Sequence, residues 1–303
     1  MTLRQLMATF PTDDDCRRFL VGRRWPDGVR CPRCGKTETV YTLQTRPWHW
    51  ECSKKMCRKG KGNAYRFSLI SGTVFENTKY PLKTWFEVLW QMLNSKKGVS
   101  ALQIQRQIGS KSYQTAWYMC HRLRAAMQDP DFRQLMGIVE IDETFIGGKA
   151  KNRHGRGIGG GKKKGEGGTG VAGKIAVIGA ISRKGNVVCQ MIEKVDAPTL
   201  EGFVQEVVSN RVSLVATDEY VGYKNLNRAG FPHETVSHTQ GEYVRGEVHT
   251  ANLDSFWALL KRGIIGTYHN VSKKYLPLYL AEFQFRHNNR ENPDIFGEAI
   301  AGC

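Results

Sequence analysis

Two groups of residues in the 303-residue sequence have the types and spacing to hold cations. The first is Cys31-Pro-Arg-Cys34 followed by Cys52 and Cys57, with 17 residues between the pairs and four inside the second. Tetrahedral Zn²⁺ takes four thiolates from two tight turns, and cytosolic thiols stay reduced, so a metal explains the clustering better than disulfides do. Gly35 supports the first turn, because amides that point at sulfur need a residue tolerant of positive φ. The second gap is wider than the usual two residues, and His49 is an alternative ligand. Cys16, Cys120, Cys189 and Cys303 lack partner spacing and read as small packing residues or exposed thiols.

The second group is acidic. Asp142 lies in Val139-Glu-Ile-Asp-Glu-Thr144 near a strand end, and Asp218 lies in Ala216-Thr-Asp-Glu-Tyr220 just past another. A buried carboxylate is costly unless it meets a cation, an arginine or backbone amides. Asp254 opens a capped helical run, Asn252 to Arg262, with an apolar stripe of Leu253, Phe256 and Leu260. Seven residues separate Asp254 from Lys261, about two helical turns, so carboxylate and ammonium share one face.

The elements that must position these side chains follow from periodicity. Strands are expected at 138–146, 175–181, 186–195 and 212–216, with helices at 199–209 and 275–290, giving an α/β mixed sheet flanked by helices. Upstream, 80–93 reads as an amphipathic helix starting with a proline in its first turn. Stretches 100–108 and 112–127, joined at Gly109-Ser-Lys111, read as a helix-turn-helix whose second helix carries Lys111 at its start and His121, Arg122 and Arg124. A three-helix packing module without a ligand would show the same periodicity. Asp129-Pro130 marks a domain boundary.

Charge favours a polyanionic partner. The chain holds 45 Lys and Arg against 28 Asp and Glu, and residues 1–130 alone hold 23 against 9. Residues 147–174 contain twelve glycines and eight basic side chains without a phosphate-loop pattern, which reads as a basic arm on DNA or as a solvated linker. No apolar run approaches the roughly 18 residues of a membrane span, and Met1 to Leu20 lacks a signal-peptide core, so the expectation is a cytoplasmic protein with no membrane partner.

Over roughly residues 15 to 290 the sequence resembles bacterial insertion-sequence DDE transposases that join an N-terminal zinc ribbon to an RNase H-like catalytic domain. The resemblance is carried by Cys31-Pro-Arg-Cys34, Ser71-Gly-Thr-Val-Phe75, Val139 to Thr144, Thr217-Asp-Glu-Tyr220, Gly241-Glu-Tyr-Val-Arg-Gly246 and Ser255 to Gly263. It implies a zinc ribbon at 15–78, a helical DNA-binding module at 79–130 and a catalytic domain at 131–303 that contains the 147–174 insertion. It also implies Asp142, Asp218 and Asp254 as ligands of Mg²⁺ (or Mn²⁺), Cys31, Cys34, Cys52 and Cys57 as Zn²⁺ ligands, and Lys261 and Arg262 as grips on the DNA terminus; the helix-turn-helix reading adds Arg122 and Arg124 as DNA contacts. The implied partners are double-stranded element ends and target DNA, bound by a homodimer or higher oligomer.

Asp254 departs from the family's usual Glu and is one methylene shorter. Glu140, Glu143, Glu219 and Glu247 are alternatives for the third ligand, and His249 matches a family His that orients substrate or makes a structural hydrogen bond. Two rival functions are a zinc-ribbon DNA-binding regulator or inactive transposase remnant, and an RNase H-like nuclease that cuts without strand transfer.

Overall fold

A computed structural model describes residues 1–58, 63–129, 132–147, 173–183, 185–237, 244–246 and 248–303. Nearly all of the glycine-rich segment 147–174 and part of the Gly241 to Gly246 motif lie outside these residues. The chain forms two compact units, Met1–Gln128 with Asn289–Cys303, and Asp129–Asn288.

The first unit opens with α1 (Leu3–Thr9) and α2 (Asp13–Arg24), each started by a threonine capping box. An antiparallel sheet follows, β1 (Val40–Thr42), β2 (His49–Cys52) and β3 (Tyr65–Ser68), with Trp50 opposite Phe67. Trp25, at the end of α2, meets the Trp50 ring edge-on at 5.3 Å and so fastens the sheet to the helix. Beyond it come α3 (Leu82–Asn94), α4 (Ala101–Gln107) and α5 (Tyr113–Ala126). The expected helix-turn-helix pair is present, and Gly109 turns between its helices at φ +65°.

The last helix of the chain was expected in the catalytic domain but packs in this first unit. Its Phe296 joins Phe10, Phe19 and Phe86 in one aromatic cluster, with centroid spacings from 5.0 to 6.2 Å. Arg23 also pairs with Asp294, just before that helix.

The second unit is built on β4 (Ile138–Ile146), β5 (Ile175–Ser182), β6 (Val187–Ile192), β7 (Leu214–Asp218) and β8 (His233–Val236), in spatial order β6-β5-β4-β7-β8. β4, β5 and β6 run antiparallel to their neighbours, while β7 and β8 join parallel. Strand alternation divides β4 between two cores. Val139 and Ile141 pack toward α6 (Ala197–Val207), while Ile146 packs toward α7 (Ala251–Gly263) and α8 (Leu276–Asn288). This mixed sheet with helices on both faces is the RNase H-like arrangement. β8 escaped sequence reading because it is a four-residue edge strand in which only Val236 is buried.

Among the described residues no helix is long and apolar enough to cross a membrane.

Candidate active site and metal centre

In the first unit Cys31 and Cys34 sit in a tight turn, closed by Gly35 N donating to Cys31 O at 2.9 Å with Gly35 at φ +67°. Cys52 ends β2, and Cys57 closes a short 3₁₀ turn, Lys55–Cys57. That turn absorbs the wide four-residue gap. Cys31 Sγ lies 3.8 Å from Cys57 Sγ, Cys34 Sγ lies 3.9 Å from Cys52 Sγ, and all four sulfurs lie within 4.8 Å of one another. A tetrahedron with Zn–S bonds of about 2.3 Å has edges of about 3.8 Å, so the donors are spaced for zinc. The backbone amide of Lys36 aimed at the Cys34 sulfur pulls that thiol down to about 7. His49 is turned elsewhere, its Nδ1 2.9 Å from Pro47 O.

In the second unit Asp142 lies in β4 at the centre of the sheet, and Asp218 is the last residue of the adjacent β7. Glu140 is opposite Ala216 in a parallel register, so Asp142 and Asp218, each two residues further on, are neighbours on one face. Asp254 lies in the first turn of α7, which packs on that face through Leu253, Phe256, Trp257 and Leu260.

Burial pushes the Asp142 carboxyl up to about 6, and the charges of Asp218 and Asp254 add to the shift. Both carboxylates therefore act on Asp142, but the three are less closely clustered than the sulfurs. Among the described residues the cysteine set is the one group whose ligand atoms all fall within 4.8 Å. Asp218 Oδ1 accepts from Tyr220 N at 3.1 Å, which fixes the turn leaving β7.

What fixes the first turn of α7 against the sheet is Glu140, two residues before Asp142 and fully buried. The helix has no side-chain cap of its own. Instead Glu140 Oε2 accepts from the backbone amides of Asn252 and Leu253 at 2.9 and 3.2 Å, as an N-cap side chain would. Its Oε1 accepts from Asn252 Nδ2 at 2.6 Å and from Arg183 Nε at 3.3 Å, with His249 Nδ1 also 3.3 Å away. These bonds occupy Glu140 and leave it poorly disposed as a metal ligand.

Glu143 points to the other face, where it accepts from Tyr223 Oη, and burial pushes it up to about 7. Glu219 accepts from Ser237 Oγ. Glu247 lies outside the described residues.

Trp257 is a contact that sequence reasoning missed. Its Nε1 donates to Asp142 Oδ2 at 3.0 Å, and its ring covers Gly179, which faces Asp142 across β4 and β5. A Cβ at Gly179 would lie 2.6 Å from that ring, so the glycine makes room for the indole. No local pattern announces the pairing.

Lys261 and Arg262 are exposed in the last turn of α7, with Lys261 on the side of Asp254. Arg124 corrects an expectation. It is 2% exposed, on the buried stripe of α5 with Cys120 and Leu123, and cannot reach a DNA phosphate without unpacking the helix. Its place four residues after Cys120 was a readable signal. Arg122 donates to Glu76 O at 2.7 Å and lies over the Trp85 ring.

A zinc ribbon ahead of an RNase H-like sheet that carries acidic residues at its centre defines the class of DDE transposases. Residues 134–288 match the ISXO2-like transposase domain, and residues 11–60 match the transposase zinc-ribbon domain. The chain belongs to this ISXO2-like, IS1595-type family of transposases with an N-terminal zinc ribbon. It is 27% identical over 290 residues, covering 92% of each chain, to an uncharacterized protein in transposable element ISH50 of Halobacterium salinarum.

Two solved structures are distantly similar. One is a simian T-cell lymphotropic virus intasome in complex with a PP2A regulatory subunit (TM-score 0.30, 12% identity, 60% of this chain and 63% of that one), so the chain spans just under two thirds of it. The other is a pre-cleavage Mos1 transpososome (TM-score 0.27, 12% identity, 71% and 78%). Likeness at these scores says nothing about mechanism.

Two outcomes follow from the geometry. Metal analysis of the purified protein should find about one zinc per chain, and Cys34→Ala or Cys52→Ala should abolish it and unfold the ribbon. A chain that melts identically with and without zinc would contradict a structural role.

Asp142 has a folded-state pKa near 6 against an ordinary 3.8, so its contribution to stability is intact below about pH 4 and is lost as pH rises through about 6. Without divalent ions, Asp142→Asn should be more stable than wild type at about pH 8, by roughly 1–3 kcal/mol. The difference should fade toward about pH 4 in thermal melts. A less stable variant at high pH would show that the ionised carboxyl is not penalised by burial and its acidic neighbours.

Proposed function

We propose that the protein binds the terminal repeats of its insertion sequence and catalyses metal-dependent end cleavage and strand transfer. Family membership supplies the class of reaction. The observation that supports the residue assignment is the placement of Asp142 and Asp218 as neighbours on one face of the sheet beside the first turn of α7, which carries Asp254; burial first, and the other two carboxylates second, oppose the ionisation of Asp142. Such a site is relieved by a cation, and a carboxylate set fits Mg²⁺ or Mn²⁺.

In this reading Asp142, Asp218 and Asp254 would together hold the ions. When bound, the ions activate water and stabilise the leaving oxygen of a phosphodiester. The water oxygen bonds to phosphorus, the bond to the 3′ oxygen breaks, and the departing oxygen takes up a proton to become a free 3′-hydroxyl. That hydroxyl attacks target DNA in a second displacement of the same kind. Trp257 orients Asp142 by its hydrogen bond, and Glu140 holds the helix that carries Asp254. Lys261 and Arg262, exposed further along that helix, grip the phosphates of the DNA end. The basic first unit supplies affinity for the repeats, and joining two ends calls for a homodimer or higher oligomer.

The rival reading as an inactive remnant draws on one observation, the shorter Asp254 in place of Glu. DNA carrying the gene's flanking ends, incubated with protein and Mg²⁺ or Mn²⁺, separates the possibilities. Wild type should nick at the ends and yield covalently joined products, and Asp142→Asn, Asp218→Asn and Asp254→Asn should each lose roughly a hundredfold or more of both. Activity retained in Asp254→Asn would move the third ligand elsewhere. Cleavage without joining would favour a nuclease, and cleavage only in Asp254→Glu would favour a decayed transposase.

A further inference from the structure

A cavity of about 690 Å³ opens in the first unit between α2, the β1–β2 hairpin and the segment Thr78–Leu82, and neither the zinc centre nor the acidic cluster uses it. Trp48 and Tyr80 form walls, Leu82 lies buried at the base, and Arg46 and Lys79 are exposed at the mouth. The acidic residue lining it, Asp13, is already engaged, with Oδ2 2.7 Å from Arg17 and Oδ1 accepting from Lys83 N at 3.0 Å. The lining thus offers aromatic faces and the exposed cations Arg46 and Lys79, while Arg17 engages Asp13 and the neighbouring Asp14.

Trp48 is held there against its backbone preference. Its φ is +61°, a region that Gly or Asn adopts readily and a bulky side chain rarely does. Two bonds impose the position: Leu69 N donates to Trp48 O at 3.0 Å, and the indole Nε1 donates to Asp14 Oδ1 at 3.2 Å. Strain of this kind gathers at sites that bind something. On the other side of the Thr78–Tyr80 ridge a second hollow of about 350 Å³ is lined by Tyr118 and Arg122, so an aromatic ring and a cation recur on both sides.

We propose that this cavity takes an unpaired nucleotide of DNA, its base against Trp48 and Tyr80 and its phosphate at Arg46 and Lys79. The volume is that of a small-molecule pocket, enough for a nucleotide and too narrow for a duplex. A paired base has its faces covered by its stacked neighbours, whereas an aromatic wall needs the open face of an unpaired one. The positive charge of the unit selects the phosphate-bearing ligand over a neutral aromatic one. The proposal rests on the DNA reading above and adds that opened strands, such as those at a cleaved or frayed element end, are gripped by the ribbon unit.

The test is binding of the full-length, zinc-loaded chain to a fluorescent short oligothymidylate and to a blunt duplex of the same length at one salt concentration. Trp48→Gly removes the ring and at the same time relieves the strained φ. It should weaken oligothymidylate binding roughly 5- to 100-fold, the range for loss of one base-stacking ring, and leave duplex binding within about twofold. Trp48→Phe should recover part of the loss. Equal affinity of Trp48→Gly and wild type for the single strand, or equal weakening toward both DNAs, would overturn the proposal. If Trp48→Gly loses zinc, Tyr80→Leu decides by the same comparison. A wild type that binds duplex but not the single strand overturns this proposal alone, and one that binds neither overturns the DNA reading with it.

Discussion

The acidic site of the second unit depends on one buried interaction, Glu140 of β4 accepting the first amides of α7, 112 residues later in the chain. A helix N-terminus presents unsatisfied N–H groups and partial positive charge, and a buried acidic side chain needs donors. Each answers the other's requirement. With the first turn pinned to the central strand, Asp254 falls beside the sheet, Trp257 lies over Gly179 with its N–H on Asp142, and Lys261 is carried two turns along. Leu253, Phe256 and Leu260 then bury the apolar stripe against β5 and β6. Hydrophobic packing holds the helix on the sheet, and Glu140 sets its register.

The two candidate metal centres are built on opposite principles. Four sulfurs lie at tetrahedral spacing before any ion is considered, joined by turns of a few residues each, which suits a structural ion that holds a small sheet together. The carboxylates come from two strands and a helix and stand further apart, with burial and the charges of Asp218 and Asp254 opposing ionisation of Asp142. That arrangement destabilises the unit and is tolerated because both faces of the sheet are packed, by α6 on one side and by α7 and α8 on the other. In the proposed function, such an acidic cluster on a well-packed scaffold would take its cation together with substrate phosphate, in keeping with the reluctance of Mg²⁺ to shed its waters for a protein-only cage.

What could be read from sequence was local. The strand from Ile138 to Ile146, the apolar stripe of α7 and the cysteine pairs each announce themselves by spacing. What could not be read depends on partners far apart in the chain. Strand alternation places Glu140 on the face of Asp142 and makes it look like a spare ligand, but its use is decided by a helix cap that no local pattern reveals. Gly179 and Trp257 are informative only as a pair. Arg124 is the opposite case: its position relative to Cys120 and Leu123 places it on the buried face, which its charge disguises. Phe296 completes the first unit from the far end of the chain, an association that sequence order hides.

Amide hydrogen exchange at Asn252 and Leu253, compared between wild type and Glu140→Gln, tests the central dependence most directly. The amide of Gln sets an N–H₂ against donors that the acid accepted, so protection at these two positions should fall by about tenfold or more while β4 and β5 keep theirs. Unchanged protection at Asn252 and Leu253 in the variant would contradict the account, because α7 would then hold its place without Glu140.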